Sequence, residues 1–173
     1  MTLLSTTPVF SGRVIQVNVE RVALPNGNVA DLEIIHHPGG AAVVAIDADN
    51  LVCLLRQFRH AANGWLWELP AGKIDNREPP LETATRELEE EAGRRARRWE
   101  SLGEYVSSPG VFTEVIHLYL ATDLETVPVR HEDHEVLEVH WKPLATVLEM
   151  AHSGELRDGK SLVGVFRAAE RRR

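Results

Sequence analysis

Cysteine is almost absent from this chain of 173 residues. The one cysteine, Cys53, stands in an apolar run and has no partner for an internal disulfide, so a disulfide-stabilised fold is excluded and core packing is its expected role. No apolar run approaches the roughly 20 residues of a membrane-spanning helix. The N-terminus also lacks a basic segment followed by an apolar one, which predicts a soluble protein of the cytoplasm with no membrane partner.

Positive charge is also scarce, because 19 lysines and arginines face 26 aspartates and glutamates, for a net charge of −7. This balance argues against a protein that holds nucleic acid through phosphate contacts. A small phosphorylated substrate is still possible, since bound metal ions would invert the local field. The length and the 43% of hydrophobic residues predict about one domain with a buried core.

The hydrophobic pattern predicts a mixture of strands and helices. Alternating or continuous apolar stretches indicate strands at residues 9–24, 29–37, 41–46, 51–58, 65–69, 99–106, 115–122 and 138–141. The turn sequence at residues 25–28 should join the first two as a hairpin. Helical periodicity indicates further helices at residues 143–152 and 160–170. Because strands and helices do not alternate regularly, the pattern predicts an α+β fold with a mixed sheet.

A loop and a helix between Gly72 and Gly93 contain the pattern that points to a function. Gly72 allows a turn that other residues resist, and Pro79 and Pro80 suit the start of a helix. Gly93 is the expected residue just beyond its end. Apolar residues recur every three or four positions and predict one buried face, made of Leu81, Ala84, Leu88 and Ala92.

Three glutamates of this helix, Glu87, Glu90 and Glu91, should project into one small volume, because they follow the spacing i, i+3, i+4. Carboxylates so close together destabilise a helix unless cations neutralise them, and hard oxygen ligands suit Mg²⁺ or Mn²⁺. The alternative is an ordinary surface helix with ion pairs four residues apart. The candidate pairs are Glu82 with Arg86, Glu90 with Arg94, and Glu91 with Arg95.

The full spacing resembles the signature of the Nudix hydrolase family. Eight positions are in register: Gly72, Glu78, Arg86, Glu87, Leu88, Glu90, Glu91 and Gly93. Arg94 departs from the family, which prefers an aliphatic residue at that position. The resemblance implies an α/β/α sandwich with a mixed sheet and an added N-terminal antiparallel hairpin. It further implies a single Nudix domain over residues 1–173, in which about 1–38 serve dimerisation and about 39–173 form the catalytic fold.

Other segments resemble the ADP-ribose pyrophosphatase branch of that family. They are residues 55–59 (LRQFR), residues 68–75 (ELPAGKID), Pro109 sixteen residues beyond Gly93, and residues 158–162 (DGKSL). This branch implies a homodimer that hydrolyses ADP-ribose, or a related nucleoside diphosphate sugar, with Mg²⁺ (or Mn²⁺) to give AMP and ribose 5-phosphate. The alternatives are a preference for GDP-mannose or ADP-glucose, or a Nudix-fold binding protein that has lost catalysis.

The resemblance also implies roles for residues of the signature. Glu87, Glu91 and the backbone carbonyl of Ala71 match the metal ligands of the family, and Glu90 would hold a metal directly or through water. Arg86 matches the residue that orients these carboxylates together with Glu78. A plain helix ion pair with Glu82 is the alternative for Arg86.

Residues outside the signature complete the implied site. Glu135, in an acidic loop, matches the general base best and is also a candidate metal ligand, with Asp133 and Glu132 as substitutes for the base. Arg59 resembles the arginine that binds the phosphates or the nucleotide, and Lys73 stands next to the pyrophosphate by position. The loop that shapes the pocket around the terminal ribose is matched by Ser108, Pro109, Gly110 and Glu114.

Overall fold

The computed structural model of the chain describes residues 1–131 and 135–172, and this part contains ten β-strands and three α-helices. The strands are β1 (Thr2–Ser11), β2 (Gln16–Ala23), β3 (Val29–His36), β4 (Gly40–Ala45), β5 (Leu51–Arg59), β6 (Gly64–Glu68), β7 (Ala71–Lys73), β8 (Arg94–Val106), β9 (Val115–Thr126) and β10 (Leu137–Pro143). The helices are α1 (Pro80–Ala92), α2 (Leu144–Ser153) and α3 (Gly159–Arg171). The predicted α+β class is therefore confirmed.

The N-terminal strands form their own antiparallel sheet, in the order β1-β2-β3, within a compact unit made of residues 1–39 and 106–115. The predicted hairpin between β2 and β3 is confirmed, because the backbone N–H of Leu24 donates to the carbonyl of Asn28. The single strand predicted over residues 9–24 is wrong, since a turn between Ser11 and Gln16 divides it into β1 and β2. All ten residues of β1 are exposed.

The second compact unit comprises residues 40–105 and 116–173, and the structure describes it except for the gap at 132–134 and residue 173. It contains a four-stranded sheet in the order β7-β4-β9-β8 and a three-stranded sheet in the order β10-β5-β6. The four-stranded sheet is mixed, as predicted, because β4 runs parallel to β9 and antiparallel to β7. The neighbouring strands β4 and β5 belong to different sheets and meet through a bridge between Ile46 and Val52.

Strand β4 divides the core of this unit into two clusters. Ala42 and Val44 point into one cluster, which includes buried residues of α2 and α3. Ala41, Val43 and Ala45 point into the other, together with the apolar face of α1. Because successive side chains of a strand alternate between faces, one fully buried strand supports helices on both sides. Helix α1 is thereby fixed against the end of the sheet that leads into β7.

Two smaller expectations can be compared with this core. Cys53 is fully buried in the cluster under α1, and burial raises the pKa of its thiol to about 12, so core packing is confirmed as its role. Leu81 was expected on the buried face of α1, but it is 39% exposed, so that assignment is wrong. No helix among the described residues is long and apolar enough to span a membrane.

Candidate active site

Strand β7 and helix α1 bring the signature residues together. After β7 the chain turns through Asn76 and Arg77, both in the left-handed region, and the N–H of Glu78 donates to the carbonyl of Asp75 at 2.8 Å. The helix begins with two prolines and ends at Gly93, whose φ of 60° suits a residue without a side chain. Its last turn contains three glutamates and no basic residue.

Two of the predicted ligands, Glu87 and Glu91, are buried between α1 and the backbone of β7. Glu91 is 2% exposed, and its Oε2 accepts a hydrogen bond of 2.8 Å from the N–H of Ala71. Glu87 is 8% exposed and lies against Gly72, where an added Cβ would overlap its carboxylate. Gly72 is therefore required by the close approach of a carboxylate to the strand. The turn predicted at Gly72 is wrong, because this residue lies within β7 and its φ is outside the left-handed region.

Arg86 lies among the remaining carboxylates of the signature. Its Nη1 donates to Glu87 at 2.7 Å and to Glu90 at 3.3 Å, and its Nη2 donates to Glu78 at 3.1 Å. Glu78 also accepts a hydrogen bond of 2.6 Å from the hydroxyl of Thr83. One guanidinium thus fixes the orientation of three carboxylates, which matches the arrangement expected of an orienting pair.

The surface ion pairs offered as the alternative for this helix are absent from the described residues. Arg86 contacts Glu78, Glu87 and Glu90, and no ion pair with Glu82 is present in that part of the chain. Arg95 lies beyond the helix end and pairs with Glu89 and Glu125. Arg94 donates to the carbonyl of Gly93 and stacks over the ring of Trp141. The carboxylates of the signature therefore face the strand and Arg86.

The electrostatics of the two buried carboxylates indicate an excess of negative charge. Burial raises the pKa of Glu87, and the ion pair with Arg86 opposes this effect. Burial and the charge of Glu87 raise the pKa of Glu91 well above its ordinary range, although the N–H of Ala71 favours the ionised form. In the described part of the chain no lysine or arginine pairs with Glu91. A site of this kind favours an added cation or an added proton.

Glu135 lies near these carboxylates, because its negative charge contributes to the raised pKa of both Glu87 and Glu91. The segment that leads toward it is tied to the end of α1. The backbone N–H of Arg130 donates to the carbonyl of Glu90 at 3.0 Å, and Nε2 of His131 lies 2.9 Å from the carbonyl of Glu91. The proposed substitutes for the base, Glu132 and Asp133, lie outside the described residues.

The predicted substrate-binding residues fall in both compact units. In the second unit, Arg59 forms a two-point ion pair with Glu68 at 2.9 and 3.0 Å, and Lys73 contacts the carboxylate of Asp75. Glu91 contributes to the raised pKa of Arg59, after the larger effects of burial, which lowers it, and of Glu68, which raises it. The sequence had pointed to no role for Glu68.

The first unit contains the loop predicted to shape the ribose pocket. The carbonyl of Ser108 accepts hydrogen bonds from the N–H groups of Val111 and Phe112, so a tight turn encloses Pro109 and Gly110. Glu114 follows this turn, and its Oε1 lies 3.5 Å from Nδ1 of His37. Ser108, Pro109, Gly110 and Glu114 remain a predicted contact surface for substrate.

A metal site composed of side chains alone is not formed within the described residues, where no group of three His, Cys, Asp or Glu side chains converges closely enough. The predicted ligand set combines Glu87, Glu91 and the backbone carbonyl of Ala71 with Glu135 and Glu90 as further candidates, and no third carboxylate of this set joins Glu87 and Glu91 closely enough among the described residues. Glu87, Glu91 and Ala71 do lie together at the junction of β7 and α1.

Known proteins are similar to this chain over most of its length. The family model described as NUDIX domain matches residues 36–162. The chain is 36% identical to the ADP-ribose pyrophosphatase of Bacillus subtilis (strain 168) over 159 residues, which cover 91% of this chain and 86% of that protein. It is 37% identical to the methanol dehydrogenase activator of Bacillus methanolicus over 165 residues, or 94% of this chain and 89% of that protein.

Two further similarities concern another substrate name and the fold. The GDP-mannose pyrophosphatase of Salmonella arizonae is 37% identical over 144 residues, which cover 76% of this chain and 73% of that protein. A solved structure described as an ADP compounds hydrolase has a TM-score of 0.83 and 23% sequence identity, and the match covers 98% of this chain and 92% of that chain. This structural similarity confirms the predicted fold.

Proposed function

Because this chain belongs to the Nudix hydrolase family, we propose that it hydrolyses the pyrophosphate bond of ADP-ribose or a related nucleoside diphosphate sugar in the presence of Mg²⁺. The products from ADP-ribose would be AMP and ribose 5-phosphate. The observation that carries the proposal is the pair of buried carboxylates, Glu87 and Glu91, held against the backbone of Ala71 and Gly72. The B. subtilis relative is named for the same substrate.

The donor set fits a hard divalent cation such as Mg²⁺ or Mn²⁺. Glu87 and Glu91 are buried carboxylates with raised pKa values, so a cation beside them would relieve an unfavourable charge. Their oxygens and the carbonyl of Ala71 are the ligand type that Mg²⁺ prefers. Such an ion, when bound, neutralises phosphate oxygens and lowers the pKa of a coordinated water.

The protein groups around this position have separable tasks. Arg86 keeps the carboxylates of Glu87, Glu90 and Glu78 in fixed orientations, so the ligand geometry does not depend on the ion alone. Arg59 offers positive charge on the side of Glu91, where it would bind the diphosphate. The attacking water bonds to phosphorus, the bond from phosphorus to the bridging oxygen breaks, and attack at either phosphorus of ADP-ribose gives the same two products.

Glu135 has two possible tasks in this scheme. As the general base it accepts the proton of the attacking water, and as a ligand it holds the cation together with Glu87 and Glu91. Both tasks require a position near the two helix carboxylates, and its effect on their pKa values supports such a position. The two tasks predict different dependence of the rate on Mg²⁺ concentration.

The proposal also includes a homodimer in the cytoplasm. The fully exposed strand β1 lies at the edge of its sheet and carries exposed Leu3, Leu4, Val9 and Phe10, which supports pairing with a second copy. Light scattering coupled to size-exclusion chromatography should give twice the mass of one chain. A monomer at micromolar concentration would contradict this part of the proposal.

A substrate panel tests the function directly. The purified protein is incubated with Mg²⁺ and ADP-ribose, ADP-glucose or GDP-mannose, and alkaline phosphatase then releases inorganic phosphate from the phosphomonoester products but not from intact substrate. We expect ADP-ribose to give the highest kcat/KM. GDP-mannose is the second candidate, because the Salmonella relative is named for it. No hydrolysis of any of these substrates by the wild type would refute the proposal and favour a binding protein without catalysis. Equal non-zero rates for the wild type and Glu91→Gln would refute the assignment of Glu91 to the site.

A further inference from the structure

Beneath Arg59 lies a network of charged side chains that the scheme above does not use. The carboxylate of Glu68, at the end of β6, is 3% exposed and accepts three hydrogen bonds. Two come from Nε and Nη2 of Arg59 at 2.9 and 3.0 Å, and the third comes from Nζ of Lys160 at 2.6 Å. Lys160 belongs to the first turn of α3, so the network joins that helix to the strand pair β5 and β6.

The same network fixes the start of α3. The carboxylate of Asp158 accepts hydrogen bonds from Nζ of Lys160 at 3.0 Å and from the backbone N–H and hydroxyl of Ser161. The hydroxyl oxygen of Ser161 in turn accepts a bond of 2.8 Å from the N–H of Leu69, the residue after Glu68. Lys160 is therefore held at a fixed position by two carboxylates and by the cap of its own helix.

Charges in the network balance, because Arg59 and Lys160 are matched by Glu68 and Asp158. Burial would raise the pKa of Glu68, but the hydrogen bonds and charges of Arg59 and Lys160 lower it to about 2. Burial would lower the pKa of Lys160, but Glu68 and Asp158 raise it. Glu68 and Lys160 thus remain ionised at neutral pH. Because hydrophobic residues often replace buried ion pairs without loss of stability, stability alone is a weak reason for this arrangement.

The arrangement leaves part of Arg59 available to a ligand. A guanidinium has five N–H groups, and the two-point contact with Glu68 uses one on Nε and one on Nη2. Among the described residues, the hydrogen bonds of this guanidinium go to Glu68, so Nη1 and the second N–H of Nη2 stay uncommitted there. The side chain is 42% exposed. Glu68 therefore determines which edge of Arg59 faces outward.

We propose that Lys160 is a positioning residue, which acts through Glu68 to present the outward N–H edge of Arg59 to the diphosphate of the bound nucleotide sugar. This inference rests on the proposed function. Without Lys160, the carboxylate of Glu68 keeps Arg59 as its one cationic partner in the described structure and is free to turn with it. The guanidinium then loses its fixed orientation, and the diphosphate binds less tightly.

A double-mutant cycle tests the dependence of Lys160 on Arg59. Lys160→Met, Arg59→Ala and the double variant are compared in steady-state hydrolysis of ADP-ribose, and ADP-ribose binding is measured by calorimetry with EDTA present. Loss of a charge-assisted contact to the substrate should raise KM and Kd about 10-fold in Lys160→Met, with kcat within about 3-fold of wild type. Arg59→Ala should lower kcat/KM at least as much as Lys160→Met does. The kcat/KM of the double variant should then match that of Arg59→Ala within about 2-fold.

Controls separate positioning from folding. Lys142→Met is the matched variant, because Lys142 contacts the ring of Trp67 and lies outside the network, and it should keep wild-type KM and Kd. Lys160→Arg, which restores the cation, should recover part of the lost affinity. If Lys160→Met does not fold, Lys160→Gln enters the same cycle, since its amide can still donate to Glu68 but carries no charge.

Two kinds of failure can be told apart. Multiplicative effects of the two single variants, or a lower kcat at unchanged KM in the Lys160 variant, would overturn the positioning role while wild-type hydrolysis of ADP-ribose stands. A wild-type protein that hydrolyses no nucleotide sugar would overturn the proposed function, and this inference with it.

Discussion

Replacing Glu91 with glutamine should separate the function of this buried carboxylate from its effect on stability. The side chain is 2% exposed, and glutamine can still accept the hydrogen bond from the N–H of Ala71, so the main change is the loss of charge. A neutral amide holds a divalent cation poorly. Turnover of ADP-ribose at saturating substrate should therefore fall by about two to four orders of magnitude.

The same substitution should make the metal-free protein more stable. Burial and the charge of Glu87 raise the pKa of Glu91 in the folded state. The contribution of this group to stability is therefore fully present below the ordinary carboxyl pKa and is lost as pH rises through the folded-state pKa. Removing this group should increase the free energy of unfolding by about 0.5–2 kcal/mol at pH 8. For a chain of this size, that gain raises Tm by about 1–8 °C.

Thermal unfolding in EDTA at pH 8 and pH 5 measures this effect, and the gain should be smaller at pH 5. Glu89→Gln is the control on the same helix, because Glu89 bonds the exposed Arg95 at 2.7 and 3.2 Å. It should keep near wild-type turnover and lose little stability, because an ion pair with an exposed arginine contributes little. Near wild-type turnover by Glu91→Gln would refute a metal-binding role for this carboxylate, and a larger loss of metal-free stability than in Glu89→Gln would refute its unfavourable charge.

Three further predictions concern neighbouring groups. Gly72→Ala should fold, because the overlapping atoms belong to the movable carboxylate of Glu87, but activity should fall about 10- to 100-fold as that ligand is displaced. Circular dichroism checks the fold and kcat/KM checks the activity, and an unchanged rate would contradict the prediction. If Glu135 is the base, Glu135→Gln should lower kcat steeply at all Mg²⁺ concentrations, whereas excess Mg²⁺ should restore part of the rate if Glu135 is a ligand. Asp133→Asn should lower kcat much less, and no effect of Glu135→Gln would remove this residue from the site. The ionised Glu68 contributes about 3 kcal/mol of stability, which is fully present above about pH 4.5 and is lost as pH falls through its folded pKa of about 2. Urea unfolding of wild type and Glu68→Gln between pH 6 and pH 2 should show the stability difference between them shrink as pH falls, and a constant difference would refute this.

Local patterns in the sequence were sufficient to predict the helix of the signature and the hairpin between β2 and β3. Pro79 and Pro80 at the start of α1 and Gly93 after its last residue mark the ends of the helix within one residue of the structure. The same chemistry of turns and caps predicted the bend at residues 25–28. These features depend on residues near one another in the chain, which is why a sequence alone reveals them.

Two kinds of feature could not be predicted from the sequence. One is a strand without a pattern of burial, and the other is a contact between residues far apart in the chain. Strand β1 is exposed along its whole length, so no alternation of buried and exposed side chains marks it in the sequence. Glu68 and Lys160 are 92 positions apart, and nothing local to either residue signals their contact. Leu81 has the right spacing for the buried face of α1 but lies in its first turn, where Leu81 and Glu82 are exposed and Thr83 is the buried residue.

The last turn of α1 has a consequence for the strength of cation binding. The partial charges of a helix make its C-terminal end negative, and lysine or arginine normally occupies that end. Here Glu89, Glu90 and Glu91 occupy it instead, with no basic residue in the turn. The helix dipole and the carboxylates therefore act in the same direction on any ion beside Glu91. A divalent cation at this position would serve the helix as the C-terminal positive charge that its own sequence does not supply.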